Sequence, residues 1–342
     1  MQPRILIIYT GGTIGMIEDP VSKALMPFDF SHLMENVPKV KMLDYHIDNI
    51  QFTPPLDSSD MYPEHWQHIA RGIADNYDRY DGFVVLHGTD TMAYTASALS
   101  FMLQNLAKPV IITGSQLPIG EVRTDGEENL ITALQIAAAK GADGNPMVQE
   151  VAILFENYLW RGCRSTKRSA DHFNAFKSNN YPYLAKIGLG ISYAQDALAR
   201  NPGKPLKANF GFDTSVMCID VFPGLSHKTL HHLVNTPGIK GIVLRTYGAG
   251  NAPTARWFID EIRDACRRGI IVFNVTQCVN GSVHQTRYVT GDRLAATGVI
   301  SGHDITFEAA ITKMMHLFSL GIGHDEVARL MSVPLAGEMT VQ

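Results

Sequence analysis

Two short segments hold the residue types best suited to chemistry in this chain: Thr10-Gly11-Gly12-Thr13-Ile14-Gly15 and His87-Gly88-Thr89-Asp90-Thr91. A threonine hydroxyl beside glycine can act as a nucleophile or a proton relay once a neighbour takes its proton. A third segment, Asp57-Ser58-Ser59-Asp60-Met61, lies just before Pro63, and proline suits a first helical turn. One of these residues is expected to cap that helix. A helix N-terminus with hydroxyls and N–H groups to spare is also a place for a small carboxylate. Asp90 is the opposite kind of group and suits an ammonium. Together the three segments describe a pocket for an α-amino acid, whose two charged ends need opposite partners. Lys167 closes a basic stretch, Arg161-Gly162-Cys163-Arg164-Ser165-Thr166-Lys167. It reads either as a solvated lysine or as a fourth member of the site.

The elements that must position these residues alternate in type. Apolar runs at Ile5–Tyr9 and Phe83–Leu86 lead straight into the two threonine motifs and read as buried parallel strands. Ligands of open α/β sheets sit outside the carboxyl ends of such strands. A helix is predicted from Pro63 to Tyr80 on the spacing of Trp66, Ile69, Ile73 and Tyr77, and others over 94–106 and 127–140. Further strands are predicted at 109–113 and 151–155. The pattern implies a mostly parallel sheet with right-handed crossovers. A polar stretch with Pro202, Gly203 and Pro205 reads as a linker over 194–212, dividing an N-terminal α/β domain (1–193) from a smaller C-terminal α/β domain (213–342). The second domain repeats the alternation, with strands at 216–221, 239–244 and 270–275 and helices at 228–234 and 255–268.

At 342 residues, two domains are the expectation. A net charge of −4 and the lack of any basic run give no nucleic-acid surface. No segment approaches the roughly 20 apolar residues a membrane helix requires, and the short first apolar run reads as a strand rather than a signal peptide. The cysteines Cys163, Cys218, Cys266 and Cys278 show no pairing pattern. They read as thiols of a reducing compartment, the cytoplasm.

The combination of motifs resembles the L-asparaginases, and most closely their cytoplasmic bacterial type I branch. The likeness extends through Thr113-Gly114-Ser115-Gln116, Arg245-Thr246-Tyr247-Gly248-Ala249-Gly250-Asn251 and Asn274-Val275-Thr276-Gln277-Cys278. The resemblance implies two α/β domains, no cofactor, and hydrolysis of L-asparagine to L-aspartate and ammonia by a dimer or dimer of dimers, a homotetramer. It makes Thr13 the nucleophile and Thr89, Asp90 and Lys167 the supporting triad. Asp57, Ser58 and Ser59 would hold the substrate α-carboxylate, within a substrate-binding set that also contains Thr89, Asp90 and Ser115. Many relatives carry a tyrosine about ten residues past the first threonine; residues 19–27 contain none. Tyr288, lent by a neighbouring subunit, looks like its replacement, the alternative being a packed strand residue. A type I enzyme would also have an allosteric asparagine site involving Thr166, Arg245 and Cys278, although Arg245 would serve equally in a structural ion pair.

Lysine is a difficult base, because an ordinary side-chain pKa of about 10.4 makes deprotonation at pH 7 cost roughly 4–5 kcal/mol. A relay through Thr89, with Lys167 orienting its hydroxyl and Asp90 gripping the α-ammonium, is the better reading. His87 is expected to satisfy a backbone group rather than join a Ser/His/Asp set. No metal site is expected: His65 with His68, and His231 with His232, have no third ligand nearby in sequence. Glutaminase activity, the amidase subunit of a tRNA-dependent amidotransferase and a silent amino-acid sensor are the rival readings.

Overall fold

Strand β1 (Arg4–Gly11) buries every residue after the first, and β3 (Gly82–Leu86), β4 (Val110–Thr113) and β5 (Val151–Phe155) are buried throughout. Such continuous apolar runs are those of strands covered on both faces. The computed structural model describes residues 2–18, 25–27, 30–284 and 289–341, so Tyr288 lies outside it. It divides into two compact units, Met1–Phe210 and Gly211–Gln342.

In the larger unit, β2 (His46–Leu56) lies along one side of β1 and β3 along the other, both parallel to it. β4 and β5 continue the parallel run. Three antiparallel strands, β6 (Tyr158–Arg161), β9 (Ala185–Ile187) and β10 (Ile191–Tyr193), complete an eight-stranded sheet of order β10-β9-β6-β5-β4-β3-β1-β2. A separate two-stranded ribbon pairs β7 (Ser165–Lys167) with β8 (Phe176–Ser178). The chain thus places β2 on one side of β1 and then crosses to lay β3 on the other. The point between β1 and β3 is where strand order reverses, the usual ligand crevice of an open α/β sheet.

Helices α1 (Pro63–Ala74), α2 (Met92–Met102) and α3 (Gly126–Ala138) belong to this unit. α2 is buried at nearly every position, as expected of a helix apolar on all sides. The sequence extends α1 to Tyr80, but it ends at Ala74: Asn76 Nδ2 bonds the Gly72 carbonyl at 2.7 Å, and Asp75 caps the last turn. Its N-cap also differs from expectation. Tyr62 holds that place, its N–H donating to His65 Nδ1 at 2.9 Å, while Asp57 caps only the short 3₁₀ turn Ser58–Asp60 through the Ser59 N–H. The segment expected to be a linker contains a 3₁₀ turn (Gln195–Ala197) and a two-residue strand, Lys207–Ala208, paired with Leu103–Gln104.

The smaller unit has a four-stranded parallel sheet in sequence order, β11 (Val216–Asp220), β12 (Gly241–Thr246), β13 (Ile271–Thr276) and β14 (Ile300–Ser301). Its helices are α4 (His227–Val234), α5 (Arg256–Arg267), α6 (Val289–Ala295), α7 (Phe307–Phe318) and α8 (His324–Met331). Leu230, Val234, Phe258 and Ile262 pack from α4 and α5 into this unit's core. On α7, fully buried Lys313 pairs with fully buried Glu338 at 2.7 Å.

Candidate active site

The threonine motifs divide their labour. Thr10, at the end of β1, is buried and donates to the Leu86 carbonyl of β3 at 2.9 Å. Thr113, at the end of β4, does the same to Leu154 of β5 at 2.8 Å. These hydroxyls fasten the ends of neighbouring strands at the level of the crevice. Thr13 stands one step further on, partly exposed, in a single 3₁₀ turn held by the buried Tyr9 hydroxyl donating to the Gly15 carbonyl.

The first turn is pressed against the second, backbone to backbone. A methyl group on Gly12 would lie 2.5 Å from Gly88 Cα, and one on Gly88 would lie 2.6 Å from Ser58 Oγ. No side chain larger than hydrogen fits either contact. Thr91 Oγ1 then donates to the Ser58 carbonyl at 2.7 Å, tying the second motif to the third. Three segments distant in sequence therefore meet at the β1/β3 crevice.

Lys167 arrives from the ribbon strand β7. Its ammonium donates to Thr89 Oγ1 at 2.8 Å and to Asp90 Oδ1 at 2.6 Å, across 78 and 77 positions of sequence. The lysine is largely buried, whereas the Asp90 side chain is 64% exposed and so open to a ligand. Bonds to charged groups of this kind are short and about twice as strong as neutral ones. Thr89 donates in turn to Gln116 Oε1 at 3.3 Å.

Beneath the second motif runs a buried chain of hydrogen bonds. Trp66 Nε1 donates to Thr95 Oγ1 at 2.9 Å, Thr95 Oγ1 meets His87 Nε2 at 2.8 Å, and His87 Nδ1 meets the Gly88 carbonyl at 2.6 Å. The pattern is satisfied by a neutral imidazole with its proton on Nδ1. Burial pushes the His87 pKa down to about 4, so the ring is neutral near pH 7. Its partner is the backbone carbonyl expected from sequence.

Asp57, Ser58 and Ser59 lie on the turn before α1. Ser59 N and Oγ both donate to Asp57 Oδ1, at 2.8 and 2.9 Å, and Ser58 is buried at the Gly88 contact. Ser115 is buried, with its hydroxyl committed to the Leu117 carbonyl at 2.5 Å.

Family models for "Asparaginase, N-terminal" and "Glutaminase/Asparaginase C-terminal domain" match residues 4–199 and 215–331. The chain belongs to the asparaginase family. L-asparaginase 1 of Escherichia coli (strain K12) is 45% identical to it over 346 residues, covering 99% of each chain. Among solved structures, L-asparaginase I from Vibrio cholerae superposes with a TM-score of 0.90 at 40% identity over 100% of both chains. The asparaginase from Thermococcus kodakarensis does so with a TM-score of 0.90 at 33% identity, covering 99% of this chain and 100% of its own. This chain is therefore an amide hydrolase of the asparaginase family, with the family's two α/β domains.

The residues assigned to an allosteric asparaginase site fall on different units. Thr166 lies on β7; Arg245 lies on β12 and Cys278 just past β13. Arg245 makes the ion pair that its type allows, Nη1 to Asp220 Oδ2 at 3.1 Å, while its buried Nε has no hydrogen-bond partner among the described residues. Cys278 is exposed.

Sequence reasoning missed two residues here. Gln116 bridges Thr89 to the 170–172 loop, its Nε2 donating to the Ala170 and His172 carbonyls at 3.3 and 3.1 Å. Asp125 holds the loop of Gln116 by accepting the Gln116 and Leu117 N–H groups. Burial raises the pKa of its carboxyl, and those backbone N–H groups oppose the rise. Gln116 stands in the Thr113–Gln116 segment that carries the family likeness, which was the available signal; Asp125 stands in no such pattern. A histidine pair that the sequence reading did not weigh, His227 with His231, also has a carboxylate partner. Glu261 of α5 meets His227 and His231, the i and i+4 pair on α4. That spacing was the available signal.

Proposed function

We propose that this chain hydrolyses the side-chain amide of L-asparagine to L-aspartate and ammonia, with Thr13 as nucleophile and Thr89, Asp90 and Lys167 as its supporting triad. The observation that carries this reading is the Lys167 ammonium bonded at once to Thr89 Oγ1 and Asp90 Oδ1, beside the turn that bears Thr13. The exposed Asp90 carboxylate grips the α-ammonium. Hydroxyl and N–H donors of Ser58 and Ser59 take the α-carboxylate, the Ser59 pair exchanging Asp57 Oδ1 for it. Asp57, itself an anion, orients those donors, and Ser115 shapes the loop beside them. The catalytic unit is the N-terminal domain, 1–193, and the segment 213–342 forms the second domain.

The Thr13 oxygen adds to the amide carbon, and its proton passes by way of the Thr89 hydroxyl to the departing nitrogen. Lys167 fixes the direction of that hydroxyl, because an ammonium donating to Thr89 Oγ1 leaves the hydroxyl proton to point elsewhere. Backbone N–H groups of the glycine turns stabilise the oxyanion; one such donor is worth about 2.7–4 kcal/mol. The C–N bond breaks, ammonia leaves, and a β-aspartyl ester remains on Thr13. Water adds to that ester, the C–O bond breaks, and the hydroxyl is restored as aspartate departs.

The test is ammonia release with asparagine and glutamine side by side, in the native chain and in Thr13→Ala and Lys167→Met. Turnover of asparagine that is abolished in Thr13→Ala, with an ester trapped on Thr13 after acid quench, is the expected result. No ammonia from either amide favours a sensor, and native rates in Thr13→Ala remove the nucleophile.

The likeness to type I enzymes supports a cytoplasmic homo-oligomer, a dimer or dimer of dimers, in which Tyr288 is lent across a subunit contact. It also supports activation by asparagine at Thr166, Arg245 and Cys278. Sigmoidal rates that become hyperbolic in Arg245→Met are expected; a hyperbolic curve in the native chain removes the allosteric site.

A further inference from the structure

His227 and His231 stand one turn apart on α4, and Glu261 of α5 reaches both. Its Oε1 lies 2.8 Å from His227 Nε2 and 2.9 Å from His231 Nδ1, and the candidate ligand atoms all fall within 4.8 Å of one another. The two imidazoles are more than half exposed, while the carboxylate is only 14% exposed. The helices are held in place independently of these contacts. Ser226 caps α4 by accepting the Thr229 N–H, and buried Leu230, Val234, Phe258 and Ile262 anchor both helices in the core of the smaller unit. Trp257, one turn before Glu261, stacks on the His227 ring at 5.3 Å and 29°. None of the three residues belongs to the motifs assigned to the amide chemistry.

We propose that His227, His231 and Glu261 form a binding site for a divalent transition-metal ion, zinc in the first instance, that cross-links α4 to α5. Two imidazole nitrogens and one carboxylate are a donor set for zinc, cobalt, nickel or copper, and a poor one for calcium or magnesium, which take oxygen. Water completes the coordination. Tetrahedral zinc with bonds near 2.0–2.1 Å separates its ligand atoms by about 3.4 Å. Closing the site therefore asks the two nitrogens to move outward from Glu261 by about half an ångström and towards each other from a separation of up to 4.8 Å, by rotation of the two exposed imidazoles. The ion takes the place of the protons that now bridge the rings to the carboxylate. The Asn235 amide, 3.3 Å from His231 Nδ1, is the competing contact that must give way.

The experiment uses the untagged full-length chain after removal of metal by chelation. Zinc titration by calorimetry should show one ion per chain and raise the unfolding midpoint. Nickel or copper should quench the fluorescence of Trp257 through its contact with His227. Glu261→Gln and His231→Gln should each weaken binding by at least about 10–100-fold, the loss typical of an outer-shell partner alone. His232→Gln, on the same helix but outside the set, should bind as the native chain does, and Trp257→Phe should keep its affinity while losing the quench. Saturable binding that survives in the His227→Gln/Glu261→Gln double variant assigns the ion to other histidines and overturns the proposal. So does the absence of saturable binding in the native chain. Circular dichroism of each variant separates lost ligation from lost folding.

Discussion

Gly12→Ala probes the convergence on which the site depends. Gly12 has φ +86°, and the added methyl would lie 2.5 Å from Gly88 Cα, with the Gly88 amide nitrogen and His87 carbonyl carbon also against it. Left-handed backbone costs an alanine about 1–2 kcal/mol. Overpacking a tight contact costs about 1–3 kcal/mol more, and backbone cannot rotate aside as the end of a side chain can. The sum is about 2–5 kcal/mol. At about 2–4 °C per kcal/mol for a domain of this size, the melting midpoint of the Met1–Phe210 unit should fall by roughly 4–20 °C. If the turns separate by about 1 Å instead, Thr13 leaves its place beside Thr89 and the rate falls about 100-fold. Gly144→Ala is the control, since Gly144 has a similar φ of +79° with nothing within 4 Å of the added methyl. It should cost only the conformational part and leave turnover unchanged. Scanning calorimetry and ammonia release on both variants decide the matter. A Gly12→Ala chain no less stable than Gly144→Ala, with native kcat, would refute the backbone contact and the site built on it.

Other consequences are equally open to measurement. His87 takes no proton in the folded chain until about pH 4, whereas the unfolded ring, with its ordinary value of 6.5, takes one earlier. Its contribution is therefore complete above pH 6.5 and is lost as the pH falls towards 4, by about 3 kcal/mol; urea unfolding at pH 4.5–7 should show that slope, diminished in His87→Gln. Thr95→Val breaks the bonds to His87 and Trp66 at once and should cost about 2–4 kcal/mol by the same assay, from two stranded buried groups. Lys313→Met leaves Glu338 buried without its cation and should cost about 3–5 kcal/mol. The Lys313→Met/Glu338→Leu pair should recover only part of that loss in thermal melts, because the Met331 and Val333 carbonyls and the Leu335 and Ala336 N–H groups lose their side-chain partners. Gln116→Ala should lower kcat roughly tenfold, or about 1.4 kcal/mol, with a smaller change in KM, because it steadies Thr89.

The legible parts of this molecule are those where local chemistry and tertiary role agree. Ile5–Tyr9 and Phe83–Leu86 are apolar without interruption because both faces are covered, and each ends where its glycine turn begins. β2 escaped notice because it is an edge strand. Asp48, Asn49 and Gln51 face a single neighbour, and Pro54 and Pro55 are tolerated at its end. The antiparallel β6, β9 and β10 are too short to carry a period. Asp57 illustrates how a capping signal can be read one element too late, for the residue closes its own 3₁₀ turn and leaves α1 to Tyr62 and His65. Thr13, Thr89 and Asp90 announce themselves through glycine at strand ends. Lys167 does not, since nothing near it in sequence tells a basic stretch from a lysine drawn in by a carboxylate 77 positions earlier. Gln116 and Glu261 are harder still, because their partners are supplied wholly by the folded sheet and by the packing of two helices.

The distance along the chain between the Thr13 turn and the ribbon strand bearing Lys167 sets an order of events during synthesis. The hydroxyl proposed as nucleophile leaves the ribosome among the first residues made. The cation proposed to direct it is translated only after five more strands of the sheet. On the proposed mechanism, a nascent or prematurely terminated chain that stops before the ribbon lacks that cation and should not hydrolyse amides, so activity should follow rather than precede the completion of the larger unit.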